Sequence, residues 1–321
     1  PLYEPGPFPG SDMLFGHWLR WVRSGKQWLA QAEMLAEWGL TATEVTLRLQ
    51  PGITFHDGTA WDATAAKWNP DRMIFDPDSR MRPYLYAVDR SHEDPSALSA
   101  LKSGAQQFLF KSKTVEIVDD MTVRLHITQP MGAITSTLAS LLPASSPISP
   151  AAYQTAGRDG FGRMPVGAGP FQFGSLAGSG LTLQRNQSYW RKGSPGKALP
   201  YLDAVVLRSV PDPAARLQAL RSRAADLMEQ AAGSDLAAIK PDHSLSLLEV
   251  DDAGVQHVLL FDATASSPLA KQVKLRQALL FSIDRDGLAG RLGAGGGMSI
   301  KYLPVSTALD YDDTLPFFAY D

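Results

Sequence analysis

Pro165-Val166-Gly167-Ala168-Gly169-Pro170-Phe171-Gln172-Phe173 begins the stretch whose reading decides the fold. Two glycines between prolines predict a sharp turn, and the alternation that starts at Phe171 stops at Ala177-Gly178-Ser179-Gly180. A second alternating run follows, Leu181-Thr182-Leu183-Gln184-Arg185-Asn186. Period-two apolar residues on either side of turn residues predict a β-hairpin. After Tyr189-Trp190 and a Gly/Pro-rich loop, Ala204 to Val210 predicts a further strand. Pro211-Asp212-Pro213 ends that strand and starts a helix, with Asp212 as N-cap and Pro213 in the first turn. Asp226-Leu227-Met228 is expected to return to the sheet, so Met164 to Met228 predicts one sheet-and-helix unit. None of it is a catalytic motif.

Working outward, 321 residues suffice for about two domains. A hydrophobic share of 44% and a charged share of 20% are those of an ordinary globular chain. Lys+Arg 30 against Asp+Glu 33 leaves a net charge of -3, which gives no electrostatic case for nucleic acid as a partner. With no cysteine, disulfides, thiolate catalysis and cysteine-bound metal are excluded. The six histidines are scattered with no pair at metal spacing, so no metal site made of histidines is expected. No cofactor is expected either.

Toward the N-terminus, Met13 to Trp38 is dense in apolar and aromatic residues. The spacing of Leu14, Trp18 and Trp21 predicts an amphipathic helix whose tryptophans pack a core rather than form a ligand platform. Glu44 to Leu49 alternates as a strand and runs into Pro51-Gly52-Ile53-Thr54-Phe55-His56-Asp57-Gly58, where Pro-Gly and Asp-Gly mark turns. His56-Asp57 invites a dyad reading, but strand neighbours point to opposite faces, and Asp57 before Gly58 reads as turn chemistry. Asp62 to Trp68 predicts a capped helix, with Pro70 as its kink or end. Residues 76–113 read as short helices and loops, and 131–142 as a helix. Residues 114–118 and 122–127 form a predicted hairpin, and Pro143 to Pro150 a connector and domain seam.

Toward the C-terminus, Gly233 to Pro241 predicts a short helix, Ser244 to Val250 a short strand, and Gln256 to Phe261 a buried strand. Lys271 to Leu292 is the longest helical candidate. The Gly293-to-Gly297 cluster follows that helix rather than joining a strand to one, so it makes no phosphate cradle.

The order of these segments resembles that of the family 5 extracellular solute-binding proteins, the peptide/nickel-type receptors of ABC importers. Four stretches carry the likeness: Leu35-Ala36-Glu37-Trp38 through Val45-Thr46-Leu47-Arg48 to Phe55-His56-Asp57-Gly58-Thr59; Pro165 to Phe171, with Ala168 where threonine is usual; Arg185-Asn186-Gln187-Ser188-Tyr189-Trp190 with Pro211-Asp212-Pro213; and Lys274-Leu275-Arg276-Gln277-Ala278-Leu279 through Ile283-Asp284-Arg285. The resemblance covers about residues 13–312.

The likeness implies an α/β periplasmic-binding-protein-like fold of two lobes that close on a ligand by hinge motion. It places residues 1–39 and 164–255 in the core of lobe I, 40–163 in a subdomain inserted into that lobe, and 256–321 at the start of lobe II. Relatives continue well beyond the helix at Lys274, so lobe II is expected to be incomplete in these residues. Ligand contacts are expected from Arg82 and Tyr84, and from Tyr3 and Glu4 near the first strand. Gln256 and His257 are expected at the hinge. No Arg or Lys occurs between 125 and 157, where nickel-type relatives carry a basic group near Ser145-Ser146. The expected ligand is therefore a peptide or similar small organic solute. The implied partner is an ABC permease, the location periplasmic or cell-surface, the state monomeric, and no enzymatic activity is expected. The alternatives are a truncated, non-transporting paralogue or partner domain, and a hydrolase on the same scaffold. The hydrolase lacks a G-x-S-x-G elbow.

Overall fold

A computed structural model describes residues 10–24, 27–41, 44–75, 115–126, 146–178, 180–195, 197–229, 233–248 and 267–292. The chain divides into two compact units, Pro1–Val22 with Leu29–Arg208, and Arg23–Trp28 with Ser209–Asp321.

In the first unit the predicted N-terminal helix is confined to α1, Ser11–Leu14. The chain then turns extended, as β1 (Leu19–Ser24) and β2 (Gln27–Ala32), whose facing ends within Arg23–Trp28 are counted with the second unit, and β3 (Leu35–Leu40). These residues do pack a core, though mostly from extended chain rather than a helix: Leu14, Phe15, Trp18 and Leu19 are all buried. From Leu29 on, the true period is two, because Leu29 and Gln31 are exposed while Ala30 and Ala32 pack on the core. Pairing outweighs helical spacing here, since Met34 N–H donates to His17 O and Glu33 N–H to Trp18 O.

β3 pairs antiparallel with β4 (Glu44–Leu49), β4 with β6 (Thr122–His126), and β6 with β5 (Glu116–Asp119). The strand and hairpin expected from alternation therefore form. Val45, Leu47 and Leu49 share the buried face with Val123 and Leu125. The opposite face carries Glu44, Thr46 and Arg48, with His126, Arg124 and Thr122 respectively across from them. Trp61 packs edge-on against Trp18 (4.8 Å between ring centroids) and Phe55 (6.0 Å), and its indole N–H donates to Met34 O at 3.0 Å.

α2 (Ala63–Phe75) starts where expected, with Asp62 Oδ1 accepting from Ala65 N–H, but it runs through Pro70. The neighbouring Asn69 anchors that turn. Its amide donates to Ala65 O and Ile148 O and accepts from Ile148 N–H, at 2.9–3.0 Å. The predicted connector is thus buried around Ile148 and Ser149. It ends in α3 (Pro150–Arg163), a helix the sequence reading passed over although Ser149-Pro150 is an N-cap and first-turn pair. Gly157, at φ 66, interrupts α3.

The predicted hairpin forms as β7 (Phe171–Ala177) and β8 (Gly180–Arg185), with β9 (Ala204–Arg208) on the other side of β8. Phe171, Leu181 and Leu183 form a second core with Leu14, Phe15, Ile148 and Phe161.

The second unit holds α4 (Pro213–Arg221), capped by Asp212 as expected, with Oδ1 accepting from Ala215 N–H at 2.8 Å. β9 and α4, read as one unit in sequence, fall in different compact units. Asp226-Leu227-Met228 does not return to a sheet, and residues 244–248 form no strand; Leu227 is 73% and Leu248 87% exposed. Neither segment meets a partner edge among the described residues, and alternation alone cannot supply one. α5 (Gly233–Ile239) forms as predicted and is tied to α4 by Arg221, which donates to Ala238 O and Asp242 Oδ2.

The long candidate from Lys271 is instead three helices, α6 (Pro268–Lys271), α7 (Val273–Phe281) and α8 (Arg285–Leu292). The break follows from capping chemistry. Ser282 Oγ donates back to Leu279 O, and Asp284 Oδ1 accepts from Gly287 N–H to start a new helix. The segments at 76–114, 127–145 and 249–266, including the helix expected at 131–142 and the strand at Gln256 to Phe261, lie outside the described residues.

Candidate functional site

The expected ligand residues Arg82, Tyr84, Tyr3 and Glu4, and the hinge residues Gln256 and His257, all lie outside the described residues. Within the first unit, the described polar side chains converge where the turn at 53–59 meets the glycine turn at 165–170.

Gly167 and Gly169 have no room for a side chain. A Cβ would lie 2.3 Å from Leu14 O at Gly167 and 2.4 Å from Met13 O at Gly169. The predicted sharp turn is therefore also a close approach of two backbones, which glycine alone permits. His56 fastens it. His56 N–H donates to Gly167 O at 2.9 Å, Gly167 N–H donates to His56 Nδ1 at 3.3 Å, and Nε2 meets Gly169 O at 3.0 Å. Asn186 Nδ2 also donates to Gly169 O, at 3.0 Å. Burial holds the His56 imidazole below its ordinary value, against the opposing hydrogen bond to Gly169 and the charge of Asp57.

Asp57 turns the other way. Its Oδ1 accepts from Thr59 N–H (3.0 Å) and Thr59 Oγ1 (2.6 Å), and its Oδ2 accepts from Ser149 Oγ. Burial raises the Asp57 carboxyl, but the hydrogen bonds from Ser149 and Thr59 outweigh it and leave the group below its ordinary value. Ser149 Oγ also accepts from Ala152 N–H as the cap of α3. His56 and Asp57 thus serve separate partners and form no dyad.

A second constellation has the members of a nucleophilic triad: Ser146 Oγ lies 3.2 Å from His17 Nδ1, and His17 Nε2 3.4 Å from Asp12 Oδ1. Sequence distance hid it, since 129 residues separate His17 from Ser146. At 3% exposure Ser146 offers no face to a substrate carbonyl, so the arrangement is a tie between α1 and the connector. Among the described residues no group of three or more His, Asp or Glu is arranged to hold a metal ion. No helix there is long and apolar enough to cross a membrane.

An open groove of about 410 Å³ runs beside His56, walled by Thr54, Gln172, Gln184, Asn186 and Asp203. It is open and mostly polar, unlike the mostly apolar clefts that bury small ligands.

Against known proteins, the family described as bacterial extracellular solute-binding proteins, family 5 middle, matches residues 27–321. Over 294 residues the chain is 29% identical to the glutathione-binding protein GsiB of Pectobacterium atrosepticum, an alignment covering 91% of this chain and 50% of that protein. It is 26% identical to the dipeptide-binding protein of Escherichia coli over 284 residues, 86% of this chain and 49% of that one. The chain spans about half the length of these curated relatives. The periplasmic binding protein DppA of Helicobacter pylori, solved in complex with the peptide STSA, superposes with a TM-score of 0.70 at 17% identity, covering 99% of this chain and 61% of that one. That likeness shows the α/β fold of the periplasmic binding proteins.

Proposed function

The chain belongs to the family 5 bacterial extracellular solute-binding proteins, and on that membership we propose that it is the solute-holding component of an ABC importer. Its family consists of binding proteins rather than enzymes, and works outside the cytoplasm. The observation that carries the reading is the family match over residues 27–321, with four motifs in the family's order. The solute is a peptide or similar small organic molecule. Relatives named for glutathione and dipeptides favour a short peptide over a nickel chelate, and so does the stretch from 125 to 157 without Arg or Lys. Residues 1–39 and 164–255 serve as the core of lobe I, 40–163 as its inserted subdomain and 256–321 as the start of lobe II. Arg82, Tyr84, Tyr3 and Glu4 contact the solute, Gln256 and His257 lie at the hinge, and a membrane permease receives the cargo from a monomeric protein in the periplasm or at the cell surface.

The test is a binding titration of the purified protein against di- and tripeptides, glutathione and metal chelates. The expected result is saturable binding that raises the melting temperature without turnover. A ligand at about 100 times its Kd adds about 2.7 kcal/mol of stability. Arg82→Ala with Tyr84→Ala is expected to weaken that binding and leave the unliganded melting temperature in place. Indifference to every peptide in the panel, or conversion of any of them, overturns the proposal.

A further inference from the structure

His56 sits between two main-chain groups of opposite hydrogen-bonding sense. Gly167 N–H, which can only donate, is 3.3 Å from Nδ1, and Gly169 O, which can only accept, is 3.0 Å from Nε2. One state of the ring satisfies both: the neutral imidazole with its proton on Nε2. A second proton must enter at Nδ1, where it meets the Gly167 N–H head-on and takes away that donor's acceptor. Two contacts do not depend on the ring's charge, His56 N–H to Gly167 O and Asn186 Nδ2 to Gly169 O.

The geometry points to an acid-labile clasp, in which protonation of His56 unfastens the glycine turn at 165–170 from the turn at 53–59. Its reach extends beyond the two turns. Gly169 N–H donates to Leu14 O, and both glycines lie against the main chain of Met13 and Leu14, so a loosened turn loosens the N-terminal segment with it.

Among the described residues the charged groups around the ring are few. Asp57, next in the chain, is the carboxylate whose field reaches the imidazole and favours its cation. Arg185 and Asp203 border the same groove from the β8 side, but they pair with each other at 3.4 Å and largely cancel. Burial dominates and favours the neutral ring. The direction in pH follows. An unfolded histidine titrates near 6.5, and the folded one below that. The clasp's stabilisation is therefore complete above about pH 6.5 and is lost as the pH falls through the depressed folded value, because the unfolded chain takes up its proton first. A solute-binding protein outside the cytoplasm meets such pH changes directly, although the clasp depends on the geometry of the turns and not on what the protein binds.

The test follows the His56 ring nitrogens by ¹⁵N NMR and the Gly167 amide by hydrogen exchange, corrected for intrinsic rate, from about pH 7.5 down to about pH 4.5. At the upper end the ring should be neutral with its proton on Nε2. Through the ring's titration Gly167 protection should fall about tenfold, the equivalent of one hydrogen bond, while amides of the β4–β6 ladder hold theirs. In His56→Gln, whose amide gains no proton, Gly167 protection should stay constant within about twofold. A ring protonated on Nδ1 at neutral pH overturns the clasp, as does a wild-type Gly167 whose protection ignores pH, or a parallel loss in both proteins. If the glutamine variant does not fold, the wild type still decides: ring titration and Gly167 exchange share one midpoint, or the clasp is refuted.

Discussion

Replacing Ser149 by Ala removes one oxygen from a fully buried side chain and, with it, two hydrogen bonds and a longer contact to Thr59 Oγ1 at 3.4 Å. Ser149 Oγ accepts from Ala152 N–H at 3.1 Å as the N-cap of α3, and it donates to Asp57 Oδ2. Loss of a serine cap costs about 1 kcal/mol. A hydrogen bond to a charged group contributes about 1.5–3 kcal/mol when buried. Asp57 faces solvent and can recover water, which brings this bond down to about 1 kcal/mol. The two together give about 2 kcal/mol, close to a thirtyfold change in the folding equilibrium. The assay is urea unfolding followed by tryptophan fluorescence, which reports on the core around Trp18 and Trp61. With a slope of about 3 kcal/mol/M, the midpoint should drop by about 0.7 M at unchanged slope. Asp57→Ala and the double variant close a cycle whose coupling should be about 1 kcal/mol, the part belonging to the shared bond. Acid supplies an independent arm. Because the folded Asp57 carboxyl lies below its ordinary 3.8, its contribution is present above that pH and lost as the pH falls through the depressed folded value. The gap between wild type and Ser149→Ala should then shrink to the cap's share of about 1 kcal/mol. A loss under about 0.5 kcal/mol at neutral pH, or a cycle with no coupling, would show that the contacts at 57 and 149 coexist without supporting each other.

Three further substitutions test other joints of the structure. Gly169→Ala forces a Cβ to 2.4 Å from Met13 O and 2.7 Å from Leu14 C, against backbone that cannot swing aside, so a loss of about 3 kcal/mol or more in denaturant titration is expected. Asn69→Leu strips the main chain of Ile148 of both its side-chain partners in a buried site, and should lower stability by about 2–4 kcal/mol, measured by thermal unfolding. Asp212→Ala deletes the cap of α4 at an exposed helix start; about 1 kcal/mol is expected, with hydrogen exchange accelerating first at Ala215.

The chain's own order of residues determined the hairpin of β7 and β8, the strand β4, the turn at Asp57-Gly58 and the cap at Asp212, because each rests on contacts a few residues apart or on local alternation; the family was legible separately, in four motifs that resemble its own in order. Tertiary structure decided the rest. Leu14, Trp18 and Trp21 carry a helical spacing, yet the helix ends at Leu14 and the chain beyond it is extended, since residues 17–18 bond to 33–34 and Trp18 meets Trp61. Local spacing records burial and cannot record which partner does the burying. Ser282 and Asp284 cut a run of helix-compatible residues, because side-chain capping competes with helical propagation wherever the first turn of a new helix can accept it. The stretch at Pro165 to Pro170 holds both lessons. Its glycines announced a sharp turn; that the turn would be clasped by a histidine more than a hundred residues earlier, and pressed against Met13 and Leu14, was a matter of which backbones meet in space.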